Sequence, residues 1–189
     1  MPRASTGPRF NCPDGVALAA NDEIVVADTG NNAIRVVTHA APCARWPATG
    51  RQALQTGRER RRRFNCPTGL ARDKDGSILV AVWGNHAVRR VTMDGAVSTV
   101  AGNGEAGYAD GEGAAARFNS PQDVVVDKVG KIVVTDFKKG RLRKIVGRQV
   151  TTLAGGSEAG TADGAGAGAC FQEPVALALD ERGCLLVAE

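Results

Sequence analysis

The residues that could bind a nucleotide form a glycine-rich string in the middle of the chain. Gly102, Gly104 and Gly107 have the G-x-G-x-x-G spacing of a dinucleotide-binding turn, and they follow a short apolar run. Such a site needs a helix directly after the glycines, because the helix N-terminus binds the pyrophosphate. Residues 108–113 read Tyr-Ala-Asp-Gly-Glu-Gly and have no helical pattern. The string therefore predicts an irregular connection in which glycines adopt positive φ.

Metal binding has a similarly weak basis in the sequence. Asp73, Asp75 and Gly76 have the order in which a calcium loop begins, but Ser, Ile and Leu follow where further ligands are needed. A hairpin turn is the prediction for these residues. The five cysteines include no C-x-x-C pair, so neither a zinc site nor a disulfide framework is predicted. Free thiols are typical of a reducing compartment, and we expect an intracellular, cytoplasmic protein.

Catalytic side chains are also scarce. The chain has two histidines, His39 and His86, and no serine or cysteine lies in a context typical of a nucleophile. We therefore predict no catalytic residue, no cofactor and no metal ligand, and the sequence favours a non-catalytic protein. No apolar run reaches the roughly 18–20 residues of a membrane helix, so no membrane partner is expected.

Lysine and arginine form one dense cluster in a regular part of the chain. Lys138, Lys139, Arg141 and Lys144 lie close together in the sequence. A solvated loop accounts for such a cluster, and a patch that binds RNA is the alternative. Together with His86, these residues form the candidate partner-binding rim.

A repeat of about 54 residues organises the chain. Four phenylalanines, each three residues before a proline, are spaced 54, 54 and 53 residues apart: Phe10, Phe64, Phe118 and Phe171. The predicted units are 10–63, 64–117, 118–170 and a truncated unit 171–189, after an unassigned leader 1–9. Self-similarity at such a period indicates a repeat architecture.

Each unit consists of short β-branched runs separated by turn residues. In the first unit the runs are 16–18, 24–27 and 34–37, and later units add a fourth run such as 97–100. Such runs favour strands, and the Asp-Gly and Asn-Gly-like pairs between them favour tight hairpins. Four antiparallel strands in about 54 residues indicate one blade of a β-propeller, with no long amphipathic helix.

Arginine recurs at one position of the third strand of the units, as Arg35, Arg89 and Arg143. Strand alternation directs these side chains away from the preceding apolar residue, next to Asp28 or Asp136 of the neighbouring strand. We expect a structural ion pair repeated from blade to blade, and a phosphate-binding rim is the alternative.

These strings resemble the NHL repeat of six-bladed β-propellers. The resemblance rests on Phe-x-x-Pro-x-Gly, on residues 24–35 (Ile-Val-Val-Ala-Asp-Thr-Gly-Asn-Asn-Ala-Ile-Arg) and on the glycine-rich string that ends in Asp-Gly. Val82 departs from it, since it replaces the aspartate of the other units, and Lys-Lys-Gly at 138–140 replaces Gly-Asn-Asn. The resemblance implies an all-β propeller segment of about three and a third four-stranded blades, which is an incomplete ring.

The same resemblance implies a scaffold that binds a protein partner, or less directly RNA, through one rim. The competing class implied by other six-bladed propellers is a hydrolase or lyase with a metal in the central channel, such as lactonases, strictosidine-synthase-like enzymes and amidating lyases. The missing blades are expected to come from a longer chain or from self-association.

Residues 40–62 break the repeat without changing its length. They have no strand pattern and none of the glycines found at 102–113, and the stretch ends in the arginine run 60–63. Read one base earlier, the codons of Trp46 and Pro47 give Val, Leu or Met followed by Ala, and this frame continues in register with 100–116. We hypothesise a frame-slipped fourth strand and glycine loop, which the coding DNA tests; a genuine basic insertion is the alternative. Residues 45–62 carry six Arg and one Glu, so this segment accounts for the net charge of +4.

Overall fold

The computed structural model describes residues 9–20, 22–37, 64–156 and 160–189. These residues contain fourteen β-strands in four antiparallel sheets and no α-helix, so the all-β prediction is confirmed. The frame-slip hypothesis for 40–62, His39 and residues 1–8 of the leader lie outside the described residues. No helix in the described part of the chain is long and apolar enough to cross a membrane.

The strands follow the predicted short apolar runs. Their bounds are β1 (Pro13–Leu18), β2 (Ile24–Asp28), β3 (Ala33–Val37), β4 (Pro67–Arg72), β5 (Ile78–Val82), β6 (Ala87–Val91), β7 (Val97–Ala101), β8 (Gly111–Glu112), β9 (Pro121–Val126), β10 (Ile132–Asp136), β11 (Arg141–Val146), β12 (Gln149–Ala154), β13 (Ala176–Leu179) and β14 (Leu185–Ala188).

The four sheets follow one another along the chain as meanders. The first sheet is β1-β2-β3, the second β4-β5-β6-β7, and the last β13-β14. The third sheet has a fifth strand, because the two-residue strand β8 crosses from the preceding unit and pairs with β12, with Gly111 opposite Val150 and Glu112 opposite Gln149. The glycine-rich connection thus joins one blade to the next, which the four-strand prediction did not include.

The hairpins between the first and second strands of the units turn at one equivalent position. Gly76, Gly130 and Gly183 have φ of 82°, 87° and 86° there, and Asp22 has φ of 60° in the first unit. Glycine adopts this left-handed region without strain, and aspartate is among the few other residues that tolerate it. The positive φ at this turn position therefore explains why the units have glycine or aspartate there.

The core lies between successive sheets. Each sheet has a front face, which carries the position of Val16, and a back face, which carries the position of Val25. The back face of each sheet packs on the front face of the next, in three apolar clusters that pair Val25 with Leu70, Leu79 with Val124, and Val133 with Leu177.

The first strands of the four sheets lie side by side, with β1 next to β4, β4 next to β9 and β9 next to β13, and we call them the inner strands. Their backbones approach closely: a Cβ on Gly15 would lie 2.2 Å from the carbonyl oxygen of Thr68. The Thr68 hydroxyl in turn donates to the carbonyl of Gln122 at 2.6 Å, which joins β4 to β9. Glycine in the Pro-x-Gly string is thus required by the contact between blades.

Candidate binding rim

One edge of the sheets carries three one-turn 3-10 helices, each directly after the second strand of its sheet. They are Thr29–Asn31, Trp83–Asn85 and Phe137–Lys139. Each is pinned to the loop that starts with the repeated phenylalanine, since the backbone N–H of Gly30, Gly84 and Lys138 donates to the carbonyls of Asn11, Asn65 and Asn119. We call these turns and loops together the 3-10 rim.

A side-chain acceptor holds the start of each phenylalanine loop. Asp28 Oδ1 and Asp136 Oδ1 each accept the N–H of the residue after the phenylalanine at 2.7 Å. In the second unit, where Val82 replaces the aspartate, Asn85 Oδ1 accepts the N–H of Asn65 at 3.0 Å. In the last unit Glu189 Oε2 accepts that of Gln172 at 2.8 Å. The departure at Val82 is thus compensated by an amide three residues later.

The repeated arginines cover the phenylalanine rings, and two of them also pair with the aspartate acceptor. Arg35 Nε contacts Asp28 Oδ2, and Arg143 Nη1 lies 2.9 Å from Asp136 Oδ2. The guanidinium carbons lie 5.8, 5.3 and 5.0 Å from the phenylalanine ring centres, in the pairs Arg35–Phe10, Arg89–Phe64 and Arg143–Phe118. This is the range of cation–π contacts, so each of the first three motif phenylalanines is covered by the arginine of its own unit.

Arg143 makes the most extensive set of contacts. Its side chain is fully buried, and besides Asp136 it donates to Asp110 at 2.7 Å and to the carbonyls of Ala109 and Arg117 at 2.7 and 2.9 Å. Asp110 also accepts the N–H of Thr152 at 3.1 Å. Arg143 therefore fastens the glycine-rich connection of the second unit onto the third blade. In the sequence Asp110 precedes Gly111, which favours a turn or cap there, with a repeated metal site as the weaker alternative, and nothing in the sequence indicates its partner Arg143.

The two aspartates of the ion pairs titrate differently. Burial acts to raise the pKa of Asp28, but hydrogen bonds from Asn11, Asn31 and Arg35 outweigh it and lower this pKa below its usual value. At Asp136 burial dominates and raises the pKa to about 6, against donation by Asn119 and the charge of Arg143. The Asn31 amide has no counterpart in the third unit, where Lys139 takes its position.

His86 connects two blades. It follows the second 3-10 turn with φ of 49°, and its Nδ1 accepts the N–H of Ser120 in the next phenylalanine loop at 3.1 Å. Asn32 has the equivalent place in the first unit, and its Oδ1 accepts the N–H of Cys66 at 2.7 Å. His86 is thus a structural acceptor on the 3-10 rim rather than a free titrating group.

The His86 contact predicts a loss of stability in acid. Burial lowers the pKa of His86 below its ordinary 6.5 in the folded chain, so the unfolded chain binds more protons and the His86 contribution falls as pH drops below about 6.5. We expect the wild type to lose about 1 kcal/mol between pH 7.5 and 5 relative to a His86→Asn variant, whose amide keeps the acceptor without titrating. Urea unfolding of both proteins at several pH values measures this, and parallel pH profiles would contradict it.

Only part of the basic cluster lies on the 3-10 rim. Lys138 and Lys139 lie in the third 3-10 turn, and Arg141 begins β11 opposite Asp136. Lys144 lies farther along β11, opposite Val133 and Thr151, and is away from the rim. The structure thus brings His86, Lys138, Lys139 and Arg141 to the 3-10 rim and leaves Lys144 out of it.

Two of these cations already have partners. Lys138 Nζ lies 2.8 Å from Glu173 Oε1, and the Arg141 guanidinium lies 3.9 Å from the centre of the Tyr108 ring. The positive charge that this cluster offers to an anion is therefore smaller than its composition indicates.

An aromatic pair on the 3-10 rim was missed by the sequence reasoning. Trp83 and Phe137 start the second and third 3-10 turns, and their ring centres lie 4.8 Å apart at an angle of 49°. Both rings are half-buried. The signal that was available is their spacing of 54 residues, which puts them at the same position of adjacent units.

A concave surface of about 520 Å³ lies on the inner strands, and Asp14, Gln122 and Asp123 are its polar residues near the start of these strands. Asp123 replaces the glycine of the first two units. Burial raises its pKa, against donation to its carboxylate from the N–H of Leu177 and Val124, both at 2.8 Å. Oδ2 of Asp123 thus joins the third blade to Leu177 of the fourth, while Oδ1 accepts from the next residue of its own strand.

The nucleotide-like glycine string and the calcium-like aspartates form an irregular connection and a hairpin turn. Gly102 and Gly104 have φ of 98° and 92° in the connection after β7, as predicted for an irregular segment. Asp73 and Asp75 form a hairpin in which both carboxylates contact Arg90, the second at 2.8 Å. The described residues contain no group of three or more His, Cys, Asp or Glu placed to hold a metal.

Comparison with known proteins identifies the repeat. Residues 10–37, which span the first phenylalanine loop and β1 to β3, match the sequence model of the NHL repeat. The first unit is thus similar to the NHL repeat, and the chain has a fold of the β-propeller type. The resemblance and the fold class inferred from the sequence are thereby confirmed.

Solved structures share the fold of this chain. A protein of unknown function from Bacteroides thetaiotaomicron matches with a TM-score of 0.72 at 24% identity over 93% of this chain and 44% of its own. A gluconolactonase from Xanthomonas campestris matches with a TM-score of 0.64 at 18% identity over 96% of this chain and 55% of its own. A streptogramin B lyase matches with a TM-score of 0.60 at 12% identity over 96% and 49%. At these identities the similarity shows the fold alone.

A curated relative covers a smaller part of this chain. It is protein SUPPRESSOR OF QUENCHING 1, chloroplastic, from Arabidopsis thaliana, with 39% identity over 82 residues, which is 42% of this chain. This chain spans 8% of that protein and about half of the solved structures that it matches.

Proposed function

We propose that the protein is a non-catalytic scaffold that binds a protein partner through the 3-10 rim. The observation that carries the proposal is the Trp83–Phe137 pair, two half-buried rings in contact at equivalent positions of adjacent blades. Binding energy in protein interfaces concentrates in a few anchors, among which tryptophan is enriched, surrounded by polar residues that exclude water. His86, Lys138 and Lys139 provide such a polar surround.

The rim is also preorganised for binding. The N–H of Trp83 donates to the carbonyl of Cys66 at 3.0 Å, and that of Lys138 donates to Asn119 at 3.1 Å, so both turns that carry the rings are fixed to a neighbouring loop. A rigid surface loses little conformational entropy on association, which favours affinity. This geometry suits display of a fixed surface without turnover.

A protein partner is favoured over RNA by the state of the cations. Lys138 is paired with Glu173, and Arg141 stacks on Tyr108, so two of the rim cations have intramolecular partners. RNA binding would require these cations to contact phosphates, and it would weaken steeply with salt. Salt-dependent RNA binding that is lost when Lys138, Lys139 and Arg141 become alanine would support RNA instead.

Loss of the aromatic pair is expected to abolish partner binding. A Trp83→Ala/Phe137→Ala variant should bind a rim-directed peptide at least about 10-fold more weakly, since a hot-spot aromatic contributes about 2 kcal/mol or more. The peptide is selected from a random library on the wild-type chain, and its affinity is measured by calorimetry.

The matched control is Val129→Ala, which removes an apolar side chain that is 81% exposed in the hairpin at the opposite edge. It should bind like the wild type, and circular dichroism checks the fold of both variants. Selected peptides that bind the double variant with unchanged affinity would contradict the proposal.

A propeller hydrolase or lyase is the second candidate function. It is favoured by the concave surface on the inner strands, where Asp14 and the half-buried Asp123 lie together. Because Asp123 already accepts two backbone N–H groups, its carboxylate is less available to a ligand than an unbonded one. Stoichiometric calcium or zinc, measured by elemental analysis of the purified chain, would support the enzyme and contradict the scaffold.

We infer a cytoplasmic location from the thiols. Cys12, Cys66, Cys170 and Cys184 are free in the structure, and free cysteines persist in reducing compartments. Imaging of the tagged chain in cells tests this inference.

A further inference from the structure

Four side chains on the 3-10 rim, in the turns of the second and third sheets, offer hydrogen-bond donors that no described residue uses. Two of them, Trp83 and Lys139, have donors only, an indole N–H and an ammonium group. Neither group has an acceptor among the described residues. Both turns lie inside the array, because the first and last sheets contact the second and third on their outer sides. The exposure of these groups therefore arises away from the terminal sheets.

His86 adds a third donor. Its Nδ1 accepts the N–H of Ser120 at 3.1 Å. Burial lowers the pKa of His86 below 6.5, so the ring is neutral at pH 7. A neutral imidazole whose Nδ1 accepts a hydrogen bond carries its proton on Nε2. This second ring nitrogen is thus a donor, and it has no acceptor in the described part of the chain.

Asn85 adds a fourth donor because Val82 replaces an aspartate. In the first unit the Asn31 amide donates to Asp28 Oδ2 at 2.8 Å. Asn85 has the position of Asn31, but the Val82 side chain offers no acceptor. Only the Oδ1 of Asn85 is used, by the N–H of Asn65. The departure at Val82 thus leaves the Asn85 amide hydrogens without a described acceptor.

The phenylalanine loop of the third unit gathers these groups, which we call the donor cluster: Trp83, Asn85, His86 and Lys139. His86 contacts this loop at Ser120. The turn that carries Lys139 is fixed to the same loop through the carbonyl of Asn119, at 3.1 Å. The contact between the Trp83 and Phe137 rings, with centres 4.8 Å apart, joins the two turns. An apolar surface and a set of unused donors therefore adjoin each other.

A carboxylate suits the donor cluster better than a phosphate group. Lys139 offers one positive charge, whereas Lys138 is already paired with Glu173. Phosphate groups are bound by arginine clusters or by nests of backbone N–H groups. Arg141 stacks on Tyr108, and the backbone N–H groups that fix the two turns already donate to carbonyls. One ammonium with neutral side-chain donors matches a single negative charge with several lone pairs.

We propose that the donor cluster binds an aspartate or glutamate side chain in a segment of a protein partner. An apolar side chain next to that acid in the segment packs on the Trp83 and Phe137 rings. This inference rests on the scaffold function proposed above and names the chemistry of its partner. The acid gives the segment its orientation, because hydrogen bonds to a charged group are directional, and the rings supply apolar contact area.

A library of random synthetic peptides with amidated C-termini tests the proposal, since only side chains then supply carboxylates. Peptides selected on the 189-residue wild-type chain are expected to carry Asp or Glu next to an aromatic or aliphatic residue. Replacement of that acid by its amide should weaken binding at least about 5-fold, as expected for loss of a charged hydrogen bond. Calorimetry measures both affinities.

Charge reversal at Lys139 locates the acid on the chain. Lys139→Glu should weaken binding of the acidic peptide at least about 5-fold. A peptide with lysine in place of the acid should bind Lys139→Glu more tightly than it binds the wild type, which also shows that the variant is folded. The matched control Lys74→Glu makes the same charge change at an exposed position in the β4–β5 hairpin, at the opposite edge, and should bind like the wild type.

Three results would overturn the acidic partner: selected peptides without an acid, an affinity that Lys139→Glu leaves unchanged, or tighter binding when phosphoserine replaces the acid. The Trp83→Ala/Phe137→Ala variant separates this failure from failure of the scaffold function. If those peptides bind the double variant more weakly than the wild type, the scaffold remains and only the acidic partner is wrong. If they bind it unchanged, or if the selection yields no binder, both proposals are wrong.

Discussion

Replacement of Arg143 by methionine is expected to lower the free energy of unfolding by about 3–5 kcal/mol, the cost of breaking a buried ion pair from one side. Arg143 and Asp136 are both fully buried, so the Asp136 carboxylate would lose its charge partner without gaining water. The carbonyls of Ala109 and Arg117 would lose their donor as well. Urea unfolding monitored by circular dichroism measures the change.

The decrease in the free energy of unfolding caused by Arg143→Met should depend on pH. Burial already raises the pKa of Asp136 to about 6 with Arg143 present, and removal of the arginine should raise it further. Because the pKa of Asp136 is higher in the folded chain than its unfolded value of 3.8, the bound proton stabilises the fold fully below pH 3.8. This stabilisation is lost as pH rises through the pKa of the folded chain. The variant is therefore expected to be closest to the wild type near pH 4 and farthest from it near pH 7.

Arg35→Met is the matched control for Arg143→Met. Arg35 makes the equivalent ion pair with Asp28, but its side chain is 13% exposed against 0% for Arg143. Asp28 also keeps the donors Asn11 and Asn31 when the arginine is removed. We expect a loss of about 1 kcal/mol, in the range of a single hydrogen bond. Equal losses in the two variants would contradict the role assigned to burial.

Phe118→Ala is expected to destabilise the fold by about 3–5 kcal/mol, the usual cost of truncating a core phenylalanine. Phe118 is fully buried in the cluster between the second and third sheets, where Leu79 and Val124 also pack. Arg143 covers its ring at 5.0 Å, so the truncation also removes a cation–π contact. Thermal and urea unfolding measure the loss.

Phe10→Ala tests the same motif position at the end of the array. Phe10 is 39% exposed and contributes to no apolar cluster among the described residues. We expect a loss of less than about 1 kcal/mol, as for most substitutions outside the core. If Phe10→Ala were as damaging as Phe118→Ala, the phenylalanine would act through its own loop and not through packing between blades.

The local structure of a blade could be predicted because its signals lie within a few residues. The β-branched runs, the Asp-Gly hairpins and the 54-residue step are sufficient to place strands, since strand alternation and positive φ are properties of the local backbone. The step between Arg35, Arg89 and Arg143 also directed attention to the ion pairs. These features need no knowledge of how one sheet is placed on the next.

The contacts between blades could not be predicted in this way. Asp110 meets Arg143 only because β8 crosses to the next sheet, and Trp83 meets Phe137 only because adjacent sheets bring equivalent turns to within 4.8 Å. Lys144 was grouped with Lys138 by proximity in sequence, but it lies along β11 away from the rim. Distances of this kind depend on the rotation between sheets, which no single unit encodes.

The sequence by itself thus determined the repeat, the strands and turns of each unit, and the resemblance to the NHL repeat. It did so because these depend on short-range periodicity and backbone preference. The tertiary structure alone decided which polar groups are satisfied, which cations of the rim are already paired, and which apolar positions stay exposed. These depend on the burial of each side chain, and burial is set by the neighbouring blade: Val16 and Leu70 hold the same repeat position, yet among the described residues only Leu70 has a sheet packed against it.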